Sequence, residues 1–198
     1  NAEELTEKIW NDTYVYGEYS NFVKRYWKEK DIHPDIRPED LELMKKAKID
    51  FIAVNCYRSN TAHDAKPGTE RLEYELNKFG NKGDIQFPNY PGEFALCANP
   101  YVEYTDWDWE IDPSAMRYSL RYLWDHYRLP MMITENGFGA NETKGEDGQV
   151  HDEARINFLR DQIYNVGLAI EDGCEVIAYN PWSFTDLPVS YTHLTLPT

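Results

Sequence analysis

Three short apolar runs, each followed or preceded by a helical stretch, constrain this chain more than any other feature. "DFIAVN" (residues 50–55), "MMIT" (131–134, bounded by Pro130) and "EVIAYN" (175–180) have the length and composition of buried strands. Ahead of the second run, Asp112 and Pro113 read as an N-cap and a first helical residue, and Met116, Leu120, Leu123, Trp124 and Tyr127 then fall on one face. Between the second and third, a helix from about Asp152 places Ile156, Leu159, Ile163, Val166 and Ile170 towards a core, with Gly173 as its stop. Parallel strands need a crossover between them, and a helix is the usual one, so this alternation predicts an α/β fold with a parallel sheet or barrel. Further helices are expected over Glu3–Trp10 and, behind the acidic turn of Glu39 and Asp40, over Leu41–Lys48.

The region from Arg58 to Asp108 breaks the rhythm. It is rich in Gly, Pro, Asn and Tyr and follows a strand, so it reads as a large loop over a site and not as a separate domain. No repeat of fixed period and no low-complexity tract is present.

Charge narrows the classes of partner. The 198 residues carry 20 basic and 35 acidic side chains, a net charge of −15, which disfavours nucleic acid and anionic membrane surfaces. No run approaches a membrane span, and the polar start "NAEELTEKIW" lacks the regions of a signal peptide, so a cytoplasmic location is expected. Cys56, Cys97 and Cys174 are scattered and odd in number, and His33, His63, His126, His151 and His193 are equally dispersed. Neither a disulfide framework nor a metal site is indicated, and no cofactor is expected.

The three strand ends carry the chemistry. Asn55 and Tyr57 follow the first strand, Glu135 and Asn136 the second, Trp182 and Ser183 the third. Parallel sheets and barrels bind ligands at the C-terminal ends of their strands, so these groups are expected to converge on one face. A carboxylate, a phenol, amides and an indole suit a sugar: the indole meets the pyranose C–H groups, the amides hold hydroxyls, and the carboxylate stabilises or attacks an oxocarbenium-like centre. Each residue alone has a plainer reading. A strand-end Glu is often a cap or ion-pair partner, Tyr57 and Trp182 could be packing aromatics, and Asn55 could be a turn residue. Pattern by itself reaches only as far as a carbohydrate-handling α/β protein.

Four motifs add to this. "ITENG" (133–137) resembles the nucleophile motif of family 1 glycoside hydrolases, the retaining β-glycosidases built on a TIM barrel. "DFIAVNCY" (50–57) is similar to that family's strand ending in Asn-Tyr-Tyr, and "WDWEIDP" (107–113) and "YNPWSFTDL" (179–187) follow in family order. The resemblance covers about residues 1–187 and implies a partial TIM (β/α)8 barrel, from roughly helix five to strand eight, as the C-terminal part of one domain. It implies that Glu135 is the nucleophile, ionised and oriented by a hydrogen bond from Tyr57, and that Asn55 supports the sugar or the nucleophile. It implies further that Trp182 and Ser183 line the reacting sugar's subsite and that Trp109 lies towards the leaving group. Cys56 departs from the family's usual Tyr, a change expected to alter packing.

"NPWSFTDL" is most similar to the 6-phospho-β-glucosidases, cytoplasmic enzymes acting on imported phosphorylated β-glucosides. The Ser, Lys and Tyr that hold the phosphate in that subgroup are missing here. The chain instead ends "PVSYTHLTLPT" (188–198), which resembles a translated sequencing adapter and reads as a non-native tail. The family's acid/base carboxyl, in an Asn-Glu-Pro motif, is also missing. "ANET", with Asn141 and Glu142, is not that motif, so the fragment alone is expected to be inactive. Two alternatives stay in the same family, a β-glucosidase acting on free sugars and a 6-phospho-β-galactosidase; a third, of another class, is a non-catalytic carbohydrate-binding fragment. The expected partner is a small β-glucoside, and the sequence leaves the oligomeric state open.

Overall fold

The computed structural model describes residues 2–66, 89–90, 92–140 and 144–183. Asn141, Glu142, the middle of the Arg58–Asp108 segment and the terminal residues from 184 onward lie outside the described residues. Two compact units can be distinguished.

The first unit holds the N-terminal helices together with residues 62–66 and 89–95. A π-type segment, Glu4–Lys8, runs directly into α1 (Ile9–Tyr16), so the expected Glu3–Trp10 helix continues for another turn and more. Helix α2 (Asn21–Glu29) was not expected from the pattern. It is capped by Ser20, whose hydroxyl accepts from the Val23 amide at 3.3 Å, and its Val23 is fully buried. Helix α3 (Pro38–Lys46) begins three residues before the anticipated Leu41, because Pro38 pre-sets the first helical φ and the Asp40 carboxylate folds back onto the Arg37 amide and guanidinium.

The second unit contains the parallel sheet. Strands β1 (Ile52–Asn55), β7 (Met131–Asn136) and β8 (Val176–Pro181) lie in the order β1-β7-β8, with both neighbours parallel to the central strand. Three consecutive parallel strands with helices between them are a section of a (β/α)8 barrel. In sequence between β1 and β7 come the short strands β2 (Thr61–His63), β3 (Asn89–Tyr90) and β4 (Phe94–Cys97), which pair as β2-β4-β3 and fall mostly in the first unit, and then, in the second unit, the antiparallel β5 (Glu103–Tyr104) and β6 (Glu110–Ile111). The described parts of the expected loop are therefore partly strand.

Helices α4 (Pro113–Tyr127) and α5 (Glu153–Glu171) pack against each other, and α5 also against β8. The α4 face is as expected for Met116, Leu120, Leu123 and Tyr127, while Trp124 is only partly covered and takes the Arg128 guanidinium over its ring. Asp112 does occupy the N-cap position of α4, but its carboxylate accepts from the Ser114 hydroxyl at 2.6 Å and caps no helical N–H.

The buried face of α5 differs from the expected one. Phe158, Gln162, Val166 and Ala169 are buried, whereas Ile156, Ile163 and Ile170 are 58%, 54% and 49% exposed. At 3.6 residues per turn the true face lies roughly a quarter-turn from the isoleucine stripe. Apolar periodicity could not choose between them, since the small Ala169 and the polar Gln162 both sit where the helix approaches its neighbours. An Arg117–Asp172 pair, with contacts of 2.7 and 2.9 Å, ties α4 to the end of α5, and the Arg117 guanidinium holds the Asp172 carboxyl below its ordinary range.

Met131 and Ile133 are fully buried on β7, with Ile52 beside them on β1. Among the described residues no helix is long and apolar enough to cross a membrane. Ile133→Ala is expected to destabilise by about 2–5 kcal/mol, because a completely enclosed side chain leaves a cavity. Ile163→Ala, on the exposed stripe, should change stability by about 0.5 kcal/mol or less. Urea midpoints of the two variants, measured side by side, check the assigned faces; equal losses would contradict them.

Candidate active site

Where the parallel strands end, the ladder becomes irregular. The β1–β7 register shifts between Val54 and Asn55, and the β7–β8 register shifts between Ile133 and Asn136. A shifted ladder leaves carbonyls without their regular partners, and polar side chains take over. The Thr134 hydroxyl donates to the Val54 carbonyl at 3.0 Å, Asn136 Nδ2 to the Cys56 carbonyl at 2.6 Å, and Asn180 Nδ2 to the Ile133 carbonyl at 2.9 Å. These bonds account for much of the polarity at the strand ends.

Glu135 stands at this edge, partly buried. The Tyr57 phenol donates to Glu135 Oε2 at 2.8 Å, joining the end of β1 to the end of β7 across 78 positions of sequence. The Tyr57 ring packs on Trp109, with centroids 5.1 Å apart, and Trp109 meets Trp107 edge-on at 5.2 Å. Both indoles are presented by a tight turn between β5 and β6. Buried Thr105 shapes it: its hydroxyl oxygen accepts from the Trp107 and Trp109 amides, both at 3.2 Å, and its own amide donates to the Trp109 carbonyl at 2.9 Å.

Of the residues singled out from sequence, Glu135, Tyr57 and Trp109 are thus in one contiguous group. Trp182 joins it through the backbone: its amide donates to the Asn136 carbonyl at 2.7 Å, and its side chain is left 44% exposed. Ser183 follows it at the exposed end of the sheet. Asn55 is also exposed, and its Oδ1 lies 2.6 Å from the Thr134 hydroxyl, sharing that single proton with the Val54 carbonyl. None of Cys56, Cys97 and Cys174 is in a disulfide. Among the described residues no cluster of three or more His, Cys, Asp or Glu side chains is arranged to hold a metal ion.

Several contributors escaped the sequence reading. Glu110, on β6 within "WDWEIDP", is 1% exposed; its Oε2 accepts no hydrogen bond among the described residues, and Arg58 Nη1 lies 3.8 Å away. Burial pushes its carboxyl above the ordinary range, opposed by a backbone hydrogen bond and by Arg58. The cue was an acidic residue flanked by Trp109 and Ile111, where the pattern otherwise reads apolar. Gly137 and Gly139 are the other omission. A Cβ on Gly137 would lie 2.1 Å from the Trp182 carbonyl oxygen, and one on Gly139 would lie 2.3 Å from the Trp107 ring. Only glycine permits these approaches.

A barrel section with a phenol-braced carboxylate at its C-terminal strand ends and indoles packed beside it defines a class, the α/β proteins whose ligand sites lie at the C-terminal ends of parallel strands. The particular family follows from comparison. The profile described as "Glycosyl hydrolase family 1" matches residues 1–193, and the chain belongs to that family. It is 40% identical over 187 residues to the aryl-phospho-β-D-glucosidase BglC of Bacillus subtilis (strain 168), a match covering 94% of this chain and 39% of that protein. It is 34% identical over 179 residues to a 6-phospho-β-glucosidase of Dickeya chrysanthemi, covering 90% and 35% respectively. The fold is similar to that of the family 1 β-glucosidase of Thermotoga maritima, with a TM-score of 0.68 at 24% identity over 88% of this chain and 34% of that one. The chain therefore spans well under half the length of these relatives.

Two outcomes follow from the geometry. Gly137→Ala should cost about 1–3 kcal/mol through overpacking and displace Trp182, seen as a changed near-ultraviolet dichroism; an unchanged tryptophan signal would contradict the close approach. Glu110 ionises less readily folded than unfolded, where its value is 4.5, so stability associated with its neutral form is present below that value and lost as pH rises through the folded one. Glu110→Gln should therefore gain on the wild type as pH rises from about 4 to about 8, read from urea midpoints. A difference that stays constant across the range would show that this ionisation is not linked to folding.

Proposed function

We propose that this chain is the C-terminal part of a retaining glycoside hydrolase acting on 6-phospho-β-glucosides, with Glu135 as its nucleophile. The observation that carries the reading is the 2.8 Å hydrogen bond from the Tyr57 phenol to Glu135 Oε2. A donor at that distance fixes one oxygen of the carboxylate, leaving the other to approach an anomeric carbon. Attack expels the leaving-group oxygen and forms a glycosyl ester on Glu135; water then attacks the same carbon, and the second inversion restores the β configuration.

The substrate class is supported by the phospho-β-glucosidases to which the chain is similar. Trp182 would supply an apolar wall for the bound sugar, with Ser183 and Asn55 near its hydroxyls and Trp109 towards the aglycone. A phosphorylated glucoside would be met in the cytoplasm. Protonation of the leaving oxygen needs a second carboxyl about 5–5.5 Å from the nucleophile. No Asn-Glu-Pro sequence occurs in these 198 residues, so in this reading the chain alone does not turn over.

The test uses the complete barrel with 2-deoxy-2-fluoro-β-glucosides, with and without a 6-phosphate. The expected result is a stable adduct, mapped to Glu135 by peptide mass spectrometry, forming faster with the phosphorylated compound. Tyr57→Phe should slow labelling by on the order of ten- to a hundredfold, the size of one lost charge-assisted hydrogen bond. Full labelling of Glu135→Gln would remove the assignment, and preference for the unphosphorylated compound would remove the phosphate.

A further inference from the structure

Asn136 and Tyr179 have no part in the chemistry described above, yet they form a buried polar connection through all three parallel strands. Tyr179, on β8, donates its phenolic proton to Asn136 Oδ1 at 2.5 Å. Asn136, fully buried on β7, uses its other end to donate from Nδ2 to the Cys56 carbonyl at 2.6 Å. That carbonyl belongs to the peptide that enters Tyr57. The same segment is held from a second side, since the Cys56 amide donates to the Glu135 carbonyl at 2.9 Å.

The connection sits at the register shifts, where regular pairing no longer fixes the backbone. An amide has one acceptor and one donor end, and here each has a single assignment: Oδ1 to the phenol, Nδ2 to the carbonyl. The Cys56 carbonyl, which can only accept, fixes Nδ2 towards itself, and the Tyr179 phenol then donates to Oδ1 and holds the far end of the Asn136 amide in place beside the Cys56–Tyr57 peptide.

We propose that Tyr179 is a positioning residue which acts through Asn136 and the Cys56 carbonyl to set the approach of the Tyr57 phenol to Glu135. The inference rests on the reading of Glu135 and Tyr57 given above. Burial also pushes the Tyr179 phenol up to about 12, so it stays a donor throughout the working pH range of such a reaction. Loss of its oxygen leaves buried Asn136 Oδ1 without that partner and loosens the amide that holds the Cys56 carbonyl, and the Tyr57 hydroxyl then reaches Glu135 less often.

The experiment is a double-mutant cycle in the complete enzyme, reading the rate of covalent labelling by the 2-fluoro glycoside together with kcat and KM for an aryl glycoside. Tyr179→Phe, which keeps the ring, should lower the labelling rate and kcat about three- to tenfold, the size of one net hydrogen bond, with KM within about twofold. Combined with Tyr57→Phe it should add nothing beyond the Tyr57→Phe loss, because its whole effect passes through the Tyr57 hydroxyl. A merely structural tyrosine would lower the melting temperature while its kinetic loss multiplied with that of Tyr57→Phe, and such multiplication overturns the proposal.

Asn136→Leu, close in shape and without either polar end, removes both the acceptor for Tyr179 and the donor to Cys56 and repeats the cycle independently of how well Tyr179→Phe folds. It should show the same non-additivity with Tyr57→Phe. If Tyr57→Phe itself labels at the wild-type rate, the reading of the Tyr57–Glu135 pair fails. If Tyr57→Phe is slow but both cycles are multiplicative, only the connection through Asn136 fails.

Discussion

Strand β7 is hydrogen-bonded along its length to β1 on one side and β8 on the other, and that parallel pairing is the constraint from which the site follows. Met131 and Ile133 anchor the strand by complete burial, and the alternation they begin is broken at the register shift after Ile133, which leaves Glu135 partly exposed and Asn136 buried. By the time the strand reaches Glu135 and Asn136, successive side chains have opposite tasks. Glu135 meets the Tyr57 phenol, while Asn136 turns inward to bridge Cys56 and Tyr179. A shift of one residue in register would exchange them, burying the carboxylate and exposing the amide.

The aromatic wall depends on a different device. Trp107 and Trp109 are held by a single buried threonine that accepts two backbone amides, and Gly139 leaves the space that the Trp107 ring fills. Next to them, buried Glu110 carries an oxygen with no hydrogen bond among the described residues, opposite Arg58 at 3.8 Å. A weakly satisfied carboxyl behind a binding surface costs stability, and burial raises its proton affinity for that reason. The apolar β7 core and the Arg117–Asp172 pair lie on other parts of the unit.

A good deal of this was legible in the residues. The three apolar runs, the start of α4 at Pro113 and the α4 face apart from Trp124 follow from local patterns that tertiary structure did not override, although the Asp112 carboxylate caps no helical N–H. The strand-end carboxylate drew notice because a charge after four apolar residues needs a partner. The α5 face was not legible, since its apolar residues cover more than one side and the helix turned its small and polar residues inward. Helix α2 was missed because aromatic and charged residues obscure its period, although Ser20 was there to cap it. Glu110 and the Tyr179–Asn136 bridge were missed for a common reason: a buried polar residue looks like a surface one until its neighbours are known.

The sequence by itself determined that short apolar strands alternate with helices, that the alternation demands parallel pairing, and that polar groups gather at the strand ends. These are consequences of spacing along one chain. Tertiary structure alone decided which of those groups meet: Tyr57 with Glu135, Asn136 with both Cys56 and Tyr179, and Asn55 with Thr134. The physical reason is that hydrogen bonds are satisfied between strands tens of residues apart, at register shifts that no local pattern encodes.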